Sequence, residues 1–224
     1  MQEIRDIVIL MPTYNPDEKF VKFVGDLYSY GYREIVAVND GSKEETLSLF
    51  KEVEDKYGVQ VLTHSINLGQ GRGQKTMLNY FYGKYGKDES GVGIIQCDCD
   101  GQHILEDVNT CAEALRNNQD KFILGTRDFD SKDVPFRSKY GNKITSFVFK
   151  FFCALNLKDT QSGLRGIPRK YTKDFIETTG ERYEYMSSAL LDTKKINLPK
   201  EQFQYFFDFW NVVVNLQFIF PFLN

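Results

Sequence analysis

Five short apolar runs punctuate the first 125 residues, and most of them stop at a polar or glycine-rich cluster. Ile7-Val8-Ile9-Leu10-Met11 ends at Pro12-Thr13-Tyr14-Asn15, and Ile35-Val36-Ala37-Val38 ends at Asn39-Asp40-Gly41-Ser42. A third run spans residues 59–62. Val92-Gly93-Ile94-Ile95-Gln96-Cys97 ends at Asp98-Cys99-Asp100-Gly101-Gln102, and Phe122-Ile123-Leu124 ends at Gly125-Thr126-Arg127. Runs without polar alternation read as strands buried on both faces. Between them, apolar residues recur at helical spacing: Phe20, Phe23, Val24 and Leu27; Leu49 and Val53; Met77, Leu78, Phe81 and Tyr85; Val108, Cys111, Ala112 and Leu115. Strands alternating with amphipathic helices predict an α/β domain with a mostly parallel central sheet covered on both faces. In such sheets ligands bind outside the C-terminal strand ends, which is where the polar clusters fall. Beyond residue 125 the alternation breaks down. Residues 144–155 read as a helix and 163–167 as a short strand.

Composition narrows the choice of function. Lys and Arg number 28 against 31 Asp and Glu, a net charge of −3, so nothing points to a nucleic-acid backbone. An anionic ligand must then be held by a few placed groups. Cys97, Cys99, Cys111 and Cys153 form no CxxC pair, and a chain of 224 residues needs no disulfide frame, so reduced thiols and a cytoplasmic location are expected. The first six residues lack a basic, apolar leader pattern, and no apolar run is long enough to span a bilayer.

Asp98 and Asp100 flank one residue just past a strand. Alternate side chains of extended chain point the same way, so both carboxylates can face one point. Two such charges repel unless a cation lies between them. Hard oxygen donors suit Mg²⁺ or Mn²⁺, with Gln102 adding a neutral oxygen. The same residues also suit a turn before a helix, where Asp is common. Asp40 can accept hydrogen bonds from a ribose or a base, or can form an ordinary Asp-Gly turn capped by Ser42. The stretch from Asn67 to Lys75 is glycine-rich, but Gln74 stands where a P-loop needs glycine. Its glycines let the backbone approach a ligand, or merely make a flexible connection. Arg127 and Arg137 can offset diphosphate charge or remain solvated. Asp159, Ser162, Gly163 and Arg165 form a further polar cluster. His103 reads as a helix-start residue, and Cys97 and Cys99 as packed thiols too few for a zinc site.

These clusters, in this order, resemble family 2 glycosyltransferases, in particular the branch of dolichol-phosphate mannosyltransferase and bacterial polyprenyl-phosphate sugar transferases. The resemblance covers about residues 4–195. It rests on Met11-Pro12-Thr13-Tyr14-Asn15, Val38-Asn39-Asp40-Gly41-Ser42, Asn67-Leu68-Gly69-Gln70-Gly71, Asp98-Cys99-Asp100-Gly101-Gln102 and Asp159-Thr160-Gln161-Ser162-Gly163-Leu164-Arg165. It implies a GT-A fold, a Rossmann-like three-layer sandwich, and a metal-dependent inverting transfer from a nucleotide-diphospho-sugar of GDP-mannose or UDP-glucose type. The acceptor it implies is a polyprenyl phosphate or a glycan, in cell-envelope glycan synthesis. Donor contacts would come from Pro12, Tyr14, Val38, Asp40, Asn67, Gly69, Asp98, Cys99, Asp100, Arg127 and Arg137. Asp98, Asp100 and Gln102 would hold the metal. Ser162, Gly163 and Arg165 would border the acceptor, and Asp159 would be the base if a hydroxyl must be deprotonated. Pro16 stands where the family often has Glu, and Asn39 replaces the first of two acids.

The chain also departs from the family after Leu198, which divides it into a catalytic domain, 1–198, and an aromatic-rich tail, 199–224. In the tail Phe203, Phe206, Phe207, Trp210, Val213 and Val214 fall on one helical face. That face predicts either packing on the domain or contact with the cytoplasmic face of a membrane. Two other functions fit paired carboxylates on a layered sheet: a nucleotidyltransferase, which releases pyrophosphate, and a donor-binding domain without turnover.

Overall fold

The computed structural model describes residues 3–86, 91–129 and 136–205, apart from the side chains of 136–139. The first half alternates as expected. Strand β1 (Ile4–Thr13) leads to helix α1 (Glu18–Tyr30), β2 (Tyr32–Asp40), α2 (Leu47–Tyr57), β3 (Gln60–His64), α3 (Gln70–Tyr85), β4 (Gly93–Gln96), α4 (Leu105–Asn117) and β5 (Phe122–Arg127). Helix α5 (Phe136–Cys153), β6 (Arg165–Pro168), the short α6 (Thr172–Ile176), α7 (Glu184–Lys195) and β7 (Lys200–Tyr205) complete the fold.

Local chemistry sets the boundaries. The Asp17 carboxylate caps α1 by accepting from Lys19 N at 2.9 Å, and Gly31, at φ 131°, closes the helix with its N–H on Leu27 O and Tyr28 O. Gly58 ends α2 in the left-handed conformation that glycine adopts without penalty.

The seven strands lie in the order β3-β2-β1-β4-β6-β5-β7, and all are parallel except β6. Side chains of β1 supply both layers of the core. Ile7, Ile9 and Met11 pack with Phe20, Val24 and Leu27 of α1 and Val108, Cys111 and Leu115 of α4. Val8 and Leu10 pack with Met77, Leu78 and Phe81 of α3 and Tyr185 and Leu190 of α7. An uninterrupted apolar strand is the signature of this double burial.

In the second half a helix and a short strand overlap the expected 144–155 and 163–167, but the pairing and the end of the domain differ from expectation. β6 inserts antiparallel between β4 and β5, pairing Gln96 with Arg165 and Leu124 with Arg165. Residues 200–205, placed by the sequence beyond the domain boundary at 198, form a strand parallel to β5, with Arg127 opposite Tyr205. Phe203 therefore belongs to a strand and not to the expected helical face. Its carbonyl accepts from Thr126 Oγ1 at 2.9 Å, and its ring packs on the core. The other positions of that face, Phe206 to Val214, lie outside the described residues. Among the described residues no helix is long and apolar enough to cross a membrane.

Candidate active site

The C-terminal ends of β1, β2, β3, β4, β5 and β7 open on one edge of the sheet, and the antiparallel β6 begins there. Chain order reverses between β1 and β4, so loops from the two strands diverge and leave a crevice. The segment Cys97–Gln102 leaves β4 at this point. Cys97 N donates to Leu10 O at 3.1 Å, and the Cys99 thiol lies 3.4 Å from Thr13 Oγ1. Both cysteines are buried, and burial pushes the Cys99 thiol up to about 12. Cys99 thus anchors the loop through its side chain, as a packed thiol.

That anchoring sends Asp98 and Asp100 outward. Asp98 Oδ1 accepts from the Gln70 amide at 3.4 Å, and its Oδ2 lies 3.8 Å from His103 Nε2. Asp98 also lies directly over Gly163, where a Cβ would overlap its carboxylate. Asp100 accepts from Gln102 N at 3.1 Å and from the Gln102 side-chain amide. Desolvation, then the neighbouring Asp98 charge, raise the Asp100 carboxyl above the ordinary carboxylate range. Gln102 thus orients Asp100, and its amide oxygen remains the group that could ligate. No group of three or more His, Cys, Asp or Glu side chains converges among the described residues. The two carboxylates nevertheless fit a divalent cation. A divalent cation held by these residues would offset the Asp98 charge, which after desolvation raises Asp100.

Asp40 is buried, and its carboxylate is already fully engaged. Oδ1 meets His64 Nδ1 at 2.7 Å and Leu68 N at 2.9 Å, and Oδ2 accepts from Gly69 N at 2.8 Å. His64 Nε2 in turn lies 2.9 Å from Thr76 Oγ1. The expected ribose acceptor is therefore the buried post that fixes the glycine loop. Asn39 Oδ1 accepts from Ser42 N, Ser42 Oγ from Asn15 N, and Asn15 Oδ1 from Lys43 N, each at 2.9 Å. These bonds tie the β1 and β2 loops together, with Tyr14 exposed above them. Pro12 and Val38 lie side by side beneath Gly73. Asn67 follows the backbone on which a Cβ at Gly41 would clash.

The glycine loop differs from expectation in what it approaches. A Cβ at Gly69 would stand 2.7 Å from Glu181 O, and one at Gly71 2.6 Å from Tyr185 Cβ. Arg72 N donates to Glu181 O at 2.8 Å, and the Glu181 carboxylate holds Arg72 at 2.6 Å and Lys75 at 2.9 Å. The glycines admit the chain segment before α7. That segment carries Tyr183, whose hydroxyl is raised by burial and by the charges of Asp98 and Asp100.

Asp159 does not stand as a base. It is wholly buried and accepts from Arg127 Nε at 2.7 Å, Arg127 Nη2 at 2.9 Å, Arg127 N at 3.2 Å and Gln161 N at 3.0 Å. Both its oxygens are spent on this pair, so the carboxylate positions Arg127 and the Ser162 turn. Ser162 is buried, takes Leu164 N at 3.3 Å and lies 3.5 Å from the Tyr205 hydroxyl. Arg165 is also buried, where it braces the turn from below. Its guanidinium donates to Ser162 O and Met186 O, both at 3.0 Å, and burial pushes it down to about 10. Of the three acceptor-side residues only Gly163 meets Asp98. The backbone of Arg137 lies in α5, and its side chain lies outside the described residues. His103, Tyr183, Tyr205, His64 and Glu181 complete the site without having been singled out for these roles. The His103 ring, buried against Tyr205 with centroids 5.3 Å apart, closes the floor behind Asp98.

Such an edge defines an α/β domain that presents paired carboxylates at its switch point, beside a glycine loop fixed by a buried Asp–His pair. The chain belongs to glycosyl transferase family 2, whose family model matches residues 8–176, and it is a glycosyltransferase. Among its relatives is a UDP-N-acetylglucosamine–dolichyl-phosphate N-acetylglucosaminyltransferase of Methanococcus voltae. It is 29% identical over 210 residues, which are 86% of this chain and 81% of that one. A dolichyl-phosphate beta-glucosyltransferase of Homo sapiens is 22% identical, over 87% of this chain and 65% of its own length. Glucosyl-3-phosphoglycerate synthase of Mycobacterium tuberculosis shares the GT-A fold with a TM-score of 0.68 and 13% identity, over 90% of this chain and 70% of that one. That enzyme was crystallised with Mn²⁺, UDP-glucose and phosphoglyceric acid.

Proposed function

We propose that this chain transfers a sugar, with inversion, from a UDP- or GDP-linked donor to a polyprenyl phosphate at the cytoplasmic face of a membrane. The observation that carries the reading is the stacking of Asp98 on Gly163. It joins the expected donor-diphosphate loop to the expected acceptor turn at one point. The dolichyl-phosphate relatives support the acceptor class, and the M. voltae relative favours a uridine donor.

In this reaction an acceptor phosphate oxygen attacks the anomeric carbon as the bond to the leaving diphosphate breaks. The nucleoside diphosphate departs with the bonding electrons. A phosphate acceptor is already anionic, so no general base is required, which agrees with a buried and engaged Asp159. Asp98, Asp100 and Gln102 would hold Mg²⁺ or Mn²⁺, which when bound offsets charge on the leaving diphosphate. Pro12, Tyr14, Val38 and Asn67 would border the base and ribose, with Asp40 holding the loop beside them. Arg127, kept in place by Asp159, adds positive potential at the same edge.

Titrating the protein with UDP and GDP sugars, with and without Mn²⁺, tests donor binding by its thermal shift. Nucleoside diphosphate release on adding polyprenyl phosphate then tests transfer. Pyrophosphate release would instead identify a nucleotidyltransferase, and binding without any product a domain that only holds the donor.

A further inference from the structure

The two oxygens of Asp98 have different surroundings. Oδ2 is the inner one: it lies nearest to where a Cβ on Gly163 would stand, and 3.8 Å from His103 Nε2. Oδ1 has the Gln70 amide at 3.4 Å, near the limit of a hydrogen bond. The loop itself brings His103 to this point. Asp100 accepts from Gln102 N at 3.1 Å, a side-chain turn that curls the chain just before His103.

His103 is placed at a cost. Its side chain is 1% exposed, yet neither ring nitrogen has a hydrogen-bond partner among the described residues. A buried polar ring left unpaired destabilises the fold, and that calls for a compensating role. The ring is also held where it is. It packs on Tyr205 with centroids 5.3 Å apart, and the Tyr205 hydroxyl lies 3.5 Å from Ser162 Oγ. Ser162 precedes the glycine under Asp98, so Asp98, His103, Tyr205 and the Ser162-Gly163 turn form a closed circuit of contacts.

Electrostatics sets the tautomer. A hydrogen on Nε2 is attracted to the facing carboxylate, whereas a lone pair there would be repelled. The 3.8 Å separation exceeds hydrogen-bond length by about 1 Å. A small rotation of the Asp98 carboxyl closes that gap, and hydrogen bonds in such sites tighten when the site is loaded.

Granted the metal-holding role proposed above for Asp98 and Asp100, we infer that His103 is a positioning residue of that site: its Nε2–H donates to Asp98 Oδ2 and reserves Oδ1 for the divalent cation. An outer hydrogen bond on one oxygen fixes the rotation of the carboxylate, which packing alone does not.

The test titrates Mn²⁺ into the full chain with UDP present and reads free Mn²⁺ by electron spin resonance, with melting temperatures taken in parallel. His103→Phe keeps a ring on Tyr205 and removes both nitrogens. It should weaken Mn²⁺ binding by roughly tenfold or more, while melting at or above the parent temperature because two unpaired polar atoms have left the interior. His103→Gln carries an amide near the place of Nε2 and should recover most of the affinity. His103→Asn, whose amide falls nearer Nδ1, should recover little. UDP affinity without metal should be the same in all four proteins. A parent that binds no Mn²⁺ removes the metal reading itself, and this role of His103 with it. Mn²⁺ bound equally by the parent and His103→Phe overturns the role of His103 alone. So does a His103→Phe protein that melts several degrees lower, or a Gln variant no better than Asn, since either would make the imidazole a packing group.

Discussion

Asp159→Ala leaves the Arg127 guanidinium buried without its carboxylate. The side chain of Asp159 is fully buried and that of Arg127 is 16% exposed, so little water can take over the lost bonds. Removing one partner of a buried pair costs about 3–5 kcal/mol. For a domain of this size, each kcal/mol lowers the melting temperature by roughly 2–4 °C, so a fall of about 6–20 °C is expected. Arg127→Met combined with Asp159→Asn removes both charges and keeps an acceptor for Gln161 N, so it should melt above the single Ala variant. The assay is calorimetric melting at neutral pH without metal, carried through the double-mutant cycle. An Asp159→Ala protein as stable as the parent would show that Arg127 does not depend on this carboxylate. A stable Asp159→Asn protein that loses turnover together with the acid limb of its pH–rate profile would restore the carboxylate as a base.

Three further substitutions probe the crevice. Asp100 has a raised folded pKa, so the native protein binds more protons than the unfolded chain between the ordinary carboxylate range and that higher value; stability falls as pH rises through this window, and the deficit persists above it. Asp100→Asn should therefore raise the melting temperature of the metal-free protein at neutral pH, with the gain vanishing in acid, and should abolish Mn²⁺-dependent donor binding in calorimetry. Gly163→Ala pushes a methyl into the Asp98 carboxylate; it should weaken Mn²⁺-dependent donor affinity by roughly tenfold, since about 1.4 kcal/mol of misplacement suffices, and unchanged affinity would separate the turn from the site. Gly71→Val meets Tyr185 Cβ and the Glu181 backbone; overpacking of about 1–3 kcal/mol should appear first as lower thermal stability, and a variant that keeps its melting temperature but loses donor affinity would return the loop to direct ligand contact.

The strands that proved legible are those buried on both faces. Ile7 to Met11 needs apolar residues at every position because α1 and α4 cover one side and α3 and α7 the other. β7 escaped because it lies at the sheet edge, where Lys200-Glu201-Gln202 remain half-exposed and only Tyr205 is buried. Its aromatic residues continue into a sequence that also fits a helix, so periodicity alone misassigned it. β6 falls within two residues of the short strand expected at 163–167, but its buried Arg and its antiparallel insertion between β4 and β5 leave no mark in an apolar pattern.

The site shows the same division. The position of Asp98 and Asp100 at the crevice is legible because they follow a buried strand whose C-terminal end must lie at that edge. The state of Asp159 and Asp40 was hidden in long-range partners. Arg127 precedes Asp159 by 32 residues, and His64 follows Asp40 by 24. Glycines 69 and 71 signal close approach, but the segment that approaches lies more than 100 residues further along the chain.

If Asp98 and Asp100 serve transfer of a sugar to a lipid phosphate, sugar and nucleotide must part at this site. The most direct measurement incubates the full chain with Mn²⁺, a UDP-sugar labelled in the sugar, and a polyprenyl phosphate in mixed micelles, and follows label and nucleotide together. Label is expected in the lipid phase through an inverted anomeric linkage, with one UDP released per sugar moved and both signals lost in Asp100→Asn. Pyrophosphate in place of UDP, a retained anomeric configuration, or undiminished transfer by Asp100→Asn would contradict this expectation.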